Sequence, residues 1–213
     1  MRITIISDTH GLHEHVTLPG GDLLIHCGDV SNFGEPADVE RFLSWYRQQE
    51  YANKVFIAGN HDWLFQSRPG LAAKILSKFS RVVYLQDGDV EIAGLKLYGS
   101  PWSPEFCHWA FNLPRRGVQL AQVWSKIPDD TDILITHTAP YGILDADLHG
   151  NHAGCEVLAR RVSALHLKAH VFGHLHAGHG VVNIGDTHFV NASTCNDRYE
   201  PINEPVTLEL QGA

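Results

Sequence analysis

The sequence predicts an α/β fold in which parallel strands alternate with helices. Short apolar runs recur along the 213 residues, and several of them end at a glycine followed by polar side chains. Segments with helical spacing separate these runs, and an alternating segment in the middle of the chain indicates a hairpin. A repeated order of strand, turn and helix is typical of a doubly wound α/β arrangement, to which the hairpin adds antiparallel strands.

The first part of the chain contains three predicted buried strands. Residues 2–7 form the first, Asp22–Ile25 the second and Lys54–Ala58 the third. Between the last two, residues 35–49 place apolar side chains at helical spacing and acidic ones in the first turn, which predicts a helix. Glycine follows the second and third strands, so the chain is expected to turn sharply there.

The middle of the chain is less regular. A short helix is predicted over residues 71–79 and a strand over 82–85, followed by a hairpin over 89–98 that turns at Ala93-Gly94. Residues 99–112 are rich in proline and aromatic side chains. Loops of this length are either functional or poorly ordered, and the aromatic content indicates an ordered one.

The last part of the chain returns to strand and helix. Helices are predicted over 117–126 and 154–165, and each precedes a buried strand. The predicted strands are residues 132–136, 169–172, 181–184, 188–190 and 206–210.

Composition limits the classes of protein. With 44% apolar residues, the chain is expected to form a single domain over residues 1–213 around one core. A formal net charge of -8 argues against a stable complex with nucleic acid or an anionic membrane, while small anionic substrates remain possible. Fifteen histidines beside a single methionine exceed what core packing explains.

Cysteine spacing and the N-terminus bear on location. Cys27, Cys107, Cys155 and Cys195 are scattered, which fits reduced core thiols better than a disulfide framework. The apolar run at the N-terminus is too short for a signal peptide, and no stretch approaches the length of a membrane span. A cytoplasmic protein is therefore expected.

Side chains that can bind a metal follow five of the predicted strands. Groups beyond the carboxyl ends of parallel strands meet in one crevice, so they can converge although they are distant in sequence. Asp29 alone would be read as a turn former or helix cap; within this set it is the expected bridging ligand. The set comprises Asp8, His10, Asp29, Asn60, His137, His174 and His176.

Oxygen and imidazole donors without thiolate suit Mn²⁺, Fe, Co²⁺ or Zn²⁺ better than Ca²⁺ or a structural zinc. Seven ligands exceed the needs of one ion, so two divalent ions are expected, with Mn²⁺ the first choice. Such a pair clamps a phosphoryl centre and provides a bridging hydroxide for in-line attack. His61 is the expected catalytic residue that contacts the phosphate or protonates the leaving group, and Asp62 is expected to orient it.

These motifs resemble a known family. Asp8-x-His10, Gly28-Asp29, Gly59-Asn60-His61-Asp62, His137 and Gly173-His174-Leu175-His176 occur in the order and rough spacing of the calcineurin-like metallophosphoesterases. The resemblance implies a four-layer α/β sandwich, with two mixed β sheets face to face and helices outside. It also implies that Asp8, His10, Asp29 and His176 hold one metal, and that Asp29, Asn60, His137 and His174 hold the other.

A narrower resemblance is visible in the connecting segments. Gly99–Trp102, Trp109–Asn112, Thr136–Pro140, His152–Cys155 and Asn191–Cys195 are similar to the branch with the class III cyclic-nucleotide phosphodiesterases and the brain metallophosphoesterase-domain proteins. This branch implies hydrolysis of phosphodiesters, including 2′,3′-cyclic nucleotides. Some brain members carry glycine at the last ligand position, where this chain keeps His176.

Several alternatives stay open from sequence. The same site could serve a phosphomonoesterase or protein phosphatase, and the fold could serve as a binding scaffold; a nuclease for long chains is disfavoured by the acidic balance. A homodimer is possible. Among the loop residues, His108 and His152 are the expected pocket histidines, and Trp102 and Trp109 either stack a nucleobase or hold the loop.

Overall fold

A five-stranded sheet combines the N-terminal strands with the last one. The computed structural model describes residues 1–211. The four N-terminal strands of this sheet run parallel, and the last strand of the chain pairs with the first in the antiparallel sense. The strands are, in spatial order, Val206–Glu209 (β13), Arg2–Ile6 (β1), Leu23–His26 (β2), Asn53–Phe56 (β3) and Val83–Tyr84 (β4).

A six-stranded sheet contains most of the remaining strands. Its four inner strands are parallel, and each edge strand is antiparallel to its neighbour. In spatial order they are Gly180–Ile184 (β11), Thr187–Asn191 (β12), Ala169–Phe172 (β10), Ile133–Thr136 (β9), Leu95–Ser100 (β6) and Gly88–Ile92 (β5). A two-residue ladder between Ser103–Pro104 (β7) and Asn112–Leu113 (β8) orders the loop between β6 and β9.

Helices cover the outer face of each sheet. Three lie on the five-stranded sheet, and these are Pro36–Gln48 (α1), Trp63–Ser67 (α2) and Pro69–Leu76 (α3); Gln119–Trp124 (α4) and Glu156–Val162 (α5) lie on the six-stranded sheet. α1 begins with proline in its first turn, where no backbone donor is lost. Its buried residues Val39, Phe42, Leu43 and Tyr46 follow the helical period.

Three layers of apolar contact hold the four layers of structure together. Between the sheets, Ile5 and Ile25 pack with Leu97, Ile135 and Val171 in one buried cluster. The outer face of each sheet forms a separate cluster with its own helices. The expected fold class is therefore confirmed: two mixed β sheets lie face to face with helices outside.

The structure also differs from the sequence expectations in detail. Neither α2 nor the β7–β8 ladder was expected, because each is too short to show a period in sequence. Three cysteines are buried, as expected for core thiols, but Cys107 is exposed on the loop between β7 and β8. Within residues 1–211, no helix combines the length and apolar character that crossing a bilayer requires.

The contact between the two sheets gives a prediction about stability. Replacing Ile135, which is fully buried between the sheets, with alanine leaves a cavity and should lower the free energy of unfolding by about 2–5 kcal/mol. The matched control, Val181→Ala on exposed edge strand β11, should cost less than about 1 kcal/mol. Urea unfolding measures both, and equal losses would contradict the role of the inter-sheet core.

Candidate active site

The carboxyl ends of parallel strands from both sheets meet at one edge of the sandwich. Asp8 and Asp29 follow neighbouring strands β1 and β2, and Asn60 follows β3. From the other sheet, His137 follows β9 and His174 follows β10. A bridge between Ser7 and Ser193 joins the two sheets at this edge. The expected convergence is therefore present in the structure.

Four of the candidate ligands have a left-handed backbone. The φ angles are 52° at Asp8, 45° at His10, 57° at Asp29 and 70° at His174. Residues other than glycine adopt this conformation at a cost of about 1–3 kcal/mol each, and such residues cluster at functional sites. In this conformation the backbone turns away from the strand direction at each of the four residues.

Asp8, His10 and His176 form the first group of candidate ligands. The Nε2 atoms of His10 and His176 lie 3.4 Å apart, and His176 Nε2 lies 3.6 Å from an Asp8 oxygen. One ligand atom from each of the three residues lies within 4.8 Å of the other two. His10 Nε2 also lies 3.9 Å from Asp29, which connects this group to the next.

Asp29, His137 and His174 form the second group. His137 Nε2 lies 3.3 Å from an Asp29 oxygen and 2.8 Å from Asn60 Oδ1. The rings of His137 and His174 are 4.9 Å apart. Asp29 thus belongs to the second group and also lies close to His10 of the first group. This is the position expected of a bridging carboxylate.

Hydrogen bonds leave lone pairs facing each other in the site. His137 donates its Nδ1 hydrogen to the carbonyl of Cys27, and His176 donates its own to Asn196. Such bonds fix the tautomer and present Nε2 as an acceptor. These nitrogens face carboxylate and amide oxygens, so positive charge must lie between them, either as a proton on the imidazole or as a bound cation. Divalent cations fit this oxygen and imidazole donor set.

In the absence of a cation, protons on two of the histidines balance the negative charge of the buried carboxylates, as their pKa values show. Burial opposes the charged form of His137, but the Asp29 carboxylate outweighs it and raises the pKa to about 9. The pKa of His176 reaches about 9 for the same reason, with Asp8 as its partner. Burial lowers the pKa of His10 to about 4 and that of His174 to about 3. These last two imidazoles are therefore neutral and ready to coordinate at neutral pH.

Both carboxylates stay ionised although they are buried. Burial opposes the charge of Asp8, but hydrogen bonding and charge from His176 hold its pKa well below the usual value. Burial likewise opposes the charge of Asp29, and His137 outweighs it, so the pKa of Asp29 is also lowered. The N–H of His174 and the hydroxyl of Ser193 donate to Asp8.

Glycine is required where the loops approach the ligands. Gly28 has a φ of +103°, and a Cβ there would lie 2.6 Å from His137 Nδ1. At Gly59 a Cβ would collide with the Asp29 carboxylate and the His137 ring. Any larger residue at these positions would displace a candidate ligand, because these contacts involve buried atoms that have no room to move.

His61 lies beside both groups and is held by Trp109 and by Asn32, of which the sequence did not indicate Asn32. Its Nδ1 donates to the carbonyl of Asn32 at 2.8 Å, and its ring stacks on Trp109 with centroids 4.1 Å apart. The His61 and His10 rings are nearly perpendicular, with centroids 4.8 Å apart. Because Nδ1 makes the bond to Asn32, His61 Nε2 remains available for a substrate, as expected for a catalytic histidine.

Asp62 does not orient the His61 ring, contrary to the expectation from sequence. Its carboxylate is fully buried and accepts from the N–H groups of Gly59, Val30 and Ser31, and from the Ser31 hydroxyl. The physical reason is that Asp62 turns inward, toward the backbone of the two ligand loops. It joins the loop of Asp29 to that of Asn60 and so supports these two candidate ligands.

A cavity of about 660 Å³ opens over the ligand groups. Its lining includes the candidate ligands Asp29, Asn60, His174 and His176, together with His61. It also includes Tyr199, whose ring centroid lies 4.7 Å from that of His10. Tyr199 was missed because nothing in its own segment distinguishes it; only the fold brings residue 199 beside residue 10.

Neither of the two histidines expected in the pocket lines the cavity, and a third histidine lines it instead. His108 pairs with Glu105 and His152 with Asp145, and neither lines the cavity, whereas His149 does. Trp102 also lies outside it, with its N–H bonded to Asp87. Trp109 lines the cavity, but its ring already stacks on His61 and Phe33.

Cys27 is buried with a pKa raised well above the usual value, which excludes a nucleophilic thiolate.

Comparisons with known proteins agree with this geometry. The sequence model of the calcineurin-like phosphoesterases matches residues 1–178. Human metallophosphoesterase domain-containing protein 1 is 38% identical over 98% of this chain and 71% of its own length. A UPF0046 protein of Caenorhabditis elegans is 35% identical over 99% of this chain and 60% of its own.

A solved structure shows the same fold at low identity. The TT1561 protein of Thermus thermophilus aligns with a TM-score of 0.64 at 17% identity, over 89% of this chain and 88% of its own.

The chain belongs to the calcineurin-like phosphoesterase family, and within it to the branch of the metallophosphoesterase domain-containing proteins. It is therefore a metal-dependent hydrolase of phosphoesters, and the resemblance seen in the sequence motifs is confirmed.

The position of Asp62 gives a prediction about metal affinity. Asp62→Asn replaces an acceptor of four hydrogen bonds with a group whose NH₂ faces donors, so the Asp29 and Asn60 loops should shift. Metal affinity, measured by calorimetry, should fall by about 10–100-fold. The control Asp38→Asn, half-buried on helix α1, should keep it. An unchanged affinity with lost activity would instead favour a direct action of Asp62 on His61.

The raised histidine pKa values give a prediction about protons. In the metal-free protein at about pH 7.5, His137 and His176 carry protons because their pKa values are about 9. Coordination needs the lone pair on Nε2, so metal binding should release about two protons, and apparent affinity should rise with pH up to about 9. Calorimetry in buffers of different ionisation enthalpy counts the protons. Release of none would contradict this protonation scheme.

Proposed function

We propose that the protein hydrolyses phosphodiesters of small nucleotides, 2′,3′-cyclic nucleotides among them, with two divalent metal ions. The observation that carries the proposal is the position of Asp29 between two groups of ligands, with His61 beside both. Mn²⁺ is the proposed metal, with Fe, Zn²⁺ or Co²⁺ as alternatives, because the donors are oxygen and imidazole. The cytoplasm is the proposed location.

The proposed ligand sets follow the two groups in the structure. Asp8, His10, Asp29 and His176 would hold one ion, and Asp29, Asn60, His137 and His174 the other. The pair of cations would neutralise charge on the phosphoryl oxygens and make water nucleophilic near neutral pH. Asp8 and Asp29 are ionised in advance, and His10 and His174 are neutral, so most of the ligands need no change of protonation.

His61 is the proposed proton donor to the leaving oxygen. Its bond to Asn32 fixes the orientation of the ring and directs Nε2 away from that carbonyl. Trp109 packs against the ring face and excludes water from one side of it. As an imidazolium, His61 can donate from Nε2 to the alkoxide that forms when the ester bond breaks.

The proposed partners are small phosphoesters or nucleotides, without a stable complex with nucleic acid and without a membrane; a homodimer is possible. The net charge of -8 supports this, since a polyanion would be repelled at the surface. A phosphomonoesterase or protein phosphatase is the alternative at the same site. The family membership and the complete ligand set argue against a pure binding scaffold.

A substrate panel with a matched pair of variants tests the function. Mn²⁺-loaded protein should cleave bis(p-nitrophenyl) phosphate and 2′,3′-cAMP faster than p-nitrophenyl phosphate. His61→Ala should lower kcat by about 10²–10⁴-fold while metal content is retained. The control His166→Ala, exposed before β10 and at the opposite end of that strand from the site, should keep kcat.

Two outcomes would replace the proposal. A strong preference for p-nitrophenyl phosphate or phosphopeptides would establish the monoesterase alternative. Intact diesters with Mn²⁺-loaded protein, and no effect of His61→Ala, would refute the phosphodiesterase.

A further inference from the structure

The cavity extends beyond the space that a phosphate group needs. Its volume of about 660 Å³ lies within the range of sites for whole small molecules. The candidate ligands occupy one part of the lining. Much of the rest is apolar, contributed by Pro104, Phe106, Trp109, Leu148 and Leu175, and these five residues are called the apolar wall.

Two side chains of the apolar wall are exposed although they line a concave site. Phe106 is 65% exposed and Leu148 is 69% exposed. A large apolar side chain gains free energy when a ligand removes it from water. Exposed apolar residues inside a cavity that also holds the reacting centre therefore point to an apolar part of the substrate.

The backbone that carries these side chains is fixed by hydrogen bonds. The N–H of Phe106 donates to Asn112 Oδ1, and the β7–β8 ladder lies beside it. On the other loop, the Asp147 carboxylate accepts from the N–H groups of His149 and Asn151, on either side of Gly150. The backbone of both loops is therefore already ordered, which lowers the entropy cost of binding a ligand there.

The charges around the cavity are mostly negative. Glu105, Asp147 and Asp197 line it in addition to Asp29. Arg115 is the one lysine or arginine among the lining residues of the described chain, and its guanidinium is already bound to Glu156 and to the carbonyls of Ala153 and Gly154. Away from the proposed metal ions, a second anionic group on the substrate would therefore be repelled by these carboxylates and would find no free lysine or arginine among the lining residues that the structure describes.

We propose that the apolar wall is a subsite for one uncharged nucleoside or aryl group of a phosphodiester, and that the acidic rim of Glu105, Asp147 and Asp197 excludes substrates with a second phosphate. This inference rests on the proposed function and narrows its substrate class. It predicts that mononucleotide diesters are better substrates than longer or multiply phosphorylated nucleotides.

Three substrates with the same leaving group test the subsite. Methyl p-nitrophenyl phosphate, thymidine 5′-(p-nitrophenyl phosphate) and its 3′-phosphorylated form all release p-nitrophenolate. The nucleoside ester should exceed the methyl ester in kcat/KM by about tenfold or more. The 3′-phosphate should lower kcat/KM by about threefold to tenfold at low ionic strength, and the loss should shrink with salt.

Variants separate the two parts of the proposal. Phe106→Ala and Leu148→Ala should each reduce the ratio of nucleoside to methyl ester by about threefold or more. Val118→Ala, 65% exposed and outside the cavity, should keep the ratio. The double variant Glu105→Gln and Asp197→Asn should relieve the penalty of the 3′-phosphate, while Glu91→Gln on edge strand β5 should not.

The outcomes distinguish this inference from the proposed function. If diesters are cleaved but the nucleoside gives no advantage, or the 3′-phosphate is preferred, the subsite is wrong and the phosphodiesterase stands. If no diester is cleaved, the phosphodiesterase is wrong, and the apolar wall is then judged by calorimetric binding of the same three uncleaved compounds. Equal affinities in that measurement would overturn the subsite as well.

Discussion

Two carboxylates, Asp8 and Asp29, are buried in charged form at the ends of adjacent strands, and the site depends on stabilising that charge. Each carries a dehydration cost that only nearby positive charge or donors can offset. Imidazoles from the opposite sheet provide part of the compensation, with the pKa values of His137 and His176 raised to about 9. The face-to-face packing of the two sheets therefore has an electrostatic consequence beyond its apolar core, since it brings the acids of one sheet to the histidines of the other.

The site divides into a rigid part and an outer part. The ligand groups follow the ends of buried strands, in a left-handed backbone supported by Asp62 and by glycines that leave no space for a side chain. Strain of this kind persists only where surrounding structure determines the conformation. The outer part is built from longer connections on the surface, where Phe106 and Leu148 face the cavity. The candidate ligands thus follow the strands, and the proposed substrate subsite lies on the loops.

Prediction from sequence succeeded for elements with a clear apolar or periodic pattern and failed for elements without one. The strands β1, β2 and β3 lie close to their expected ranges because each contains a short apolar run that ends at a turn. Helix α1 and the hairpin of β5 and β6 do so because their apolar residues repeat a period. Helix α2 and the β7–β8 ladder were not expected. Five and two residues carry no readable period, and these elements form because the loops around them are held by long-range hydrogen bonds.

The sequence by itself determined which side chains are available: the ligand types, their order behind glycine-ended strands, and His61. Local residue chemistry and spacing are sufficient for that. Only the tertiary structure decided that Asn32 holds His61, that Asp62 supports the loops, and that Tyr199 lies on His10. These contacts join residues far apart in the chain, and their partners are set by how the two sheets and their loops pack, which no local pattern records.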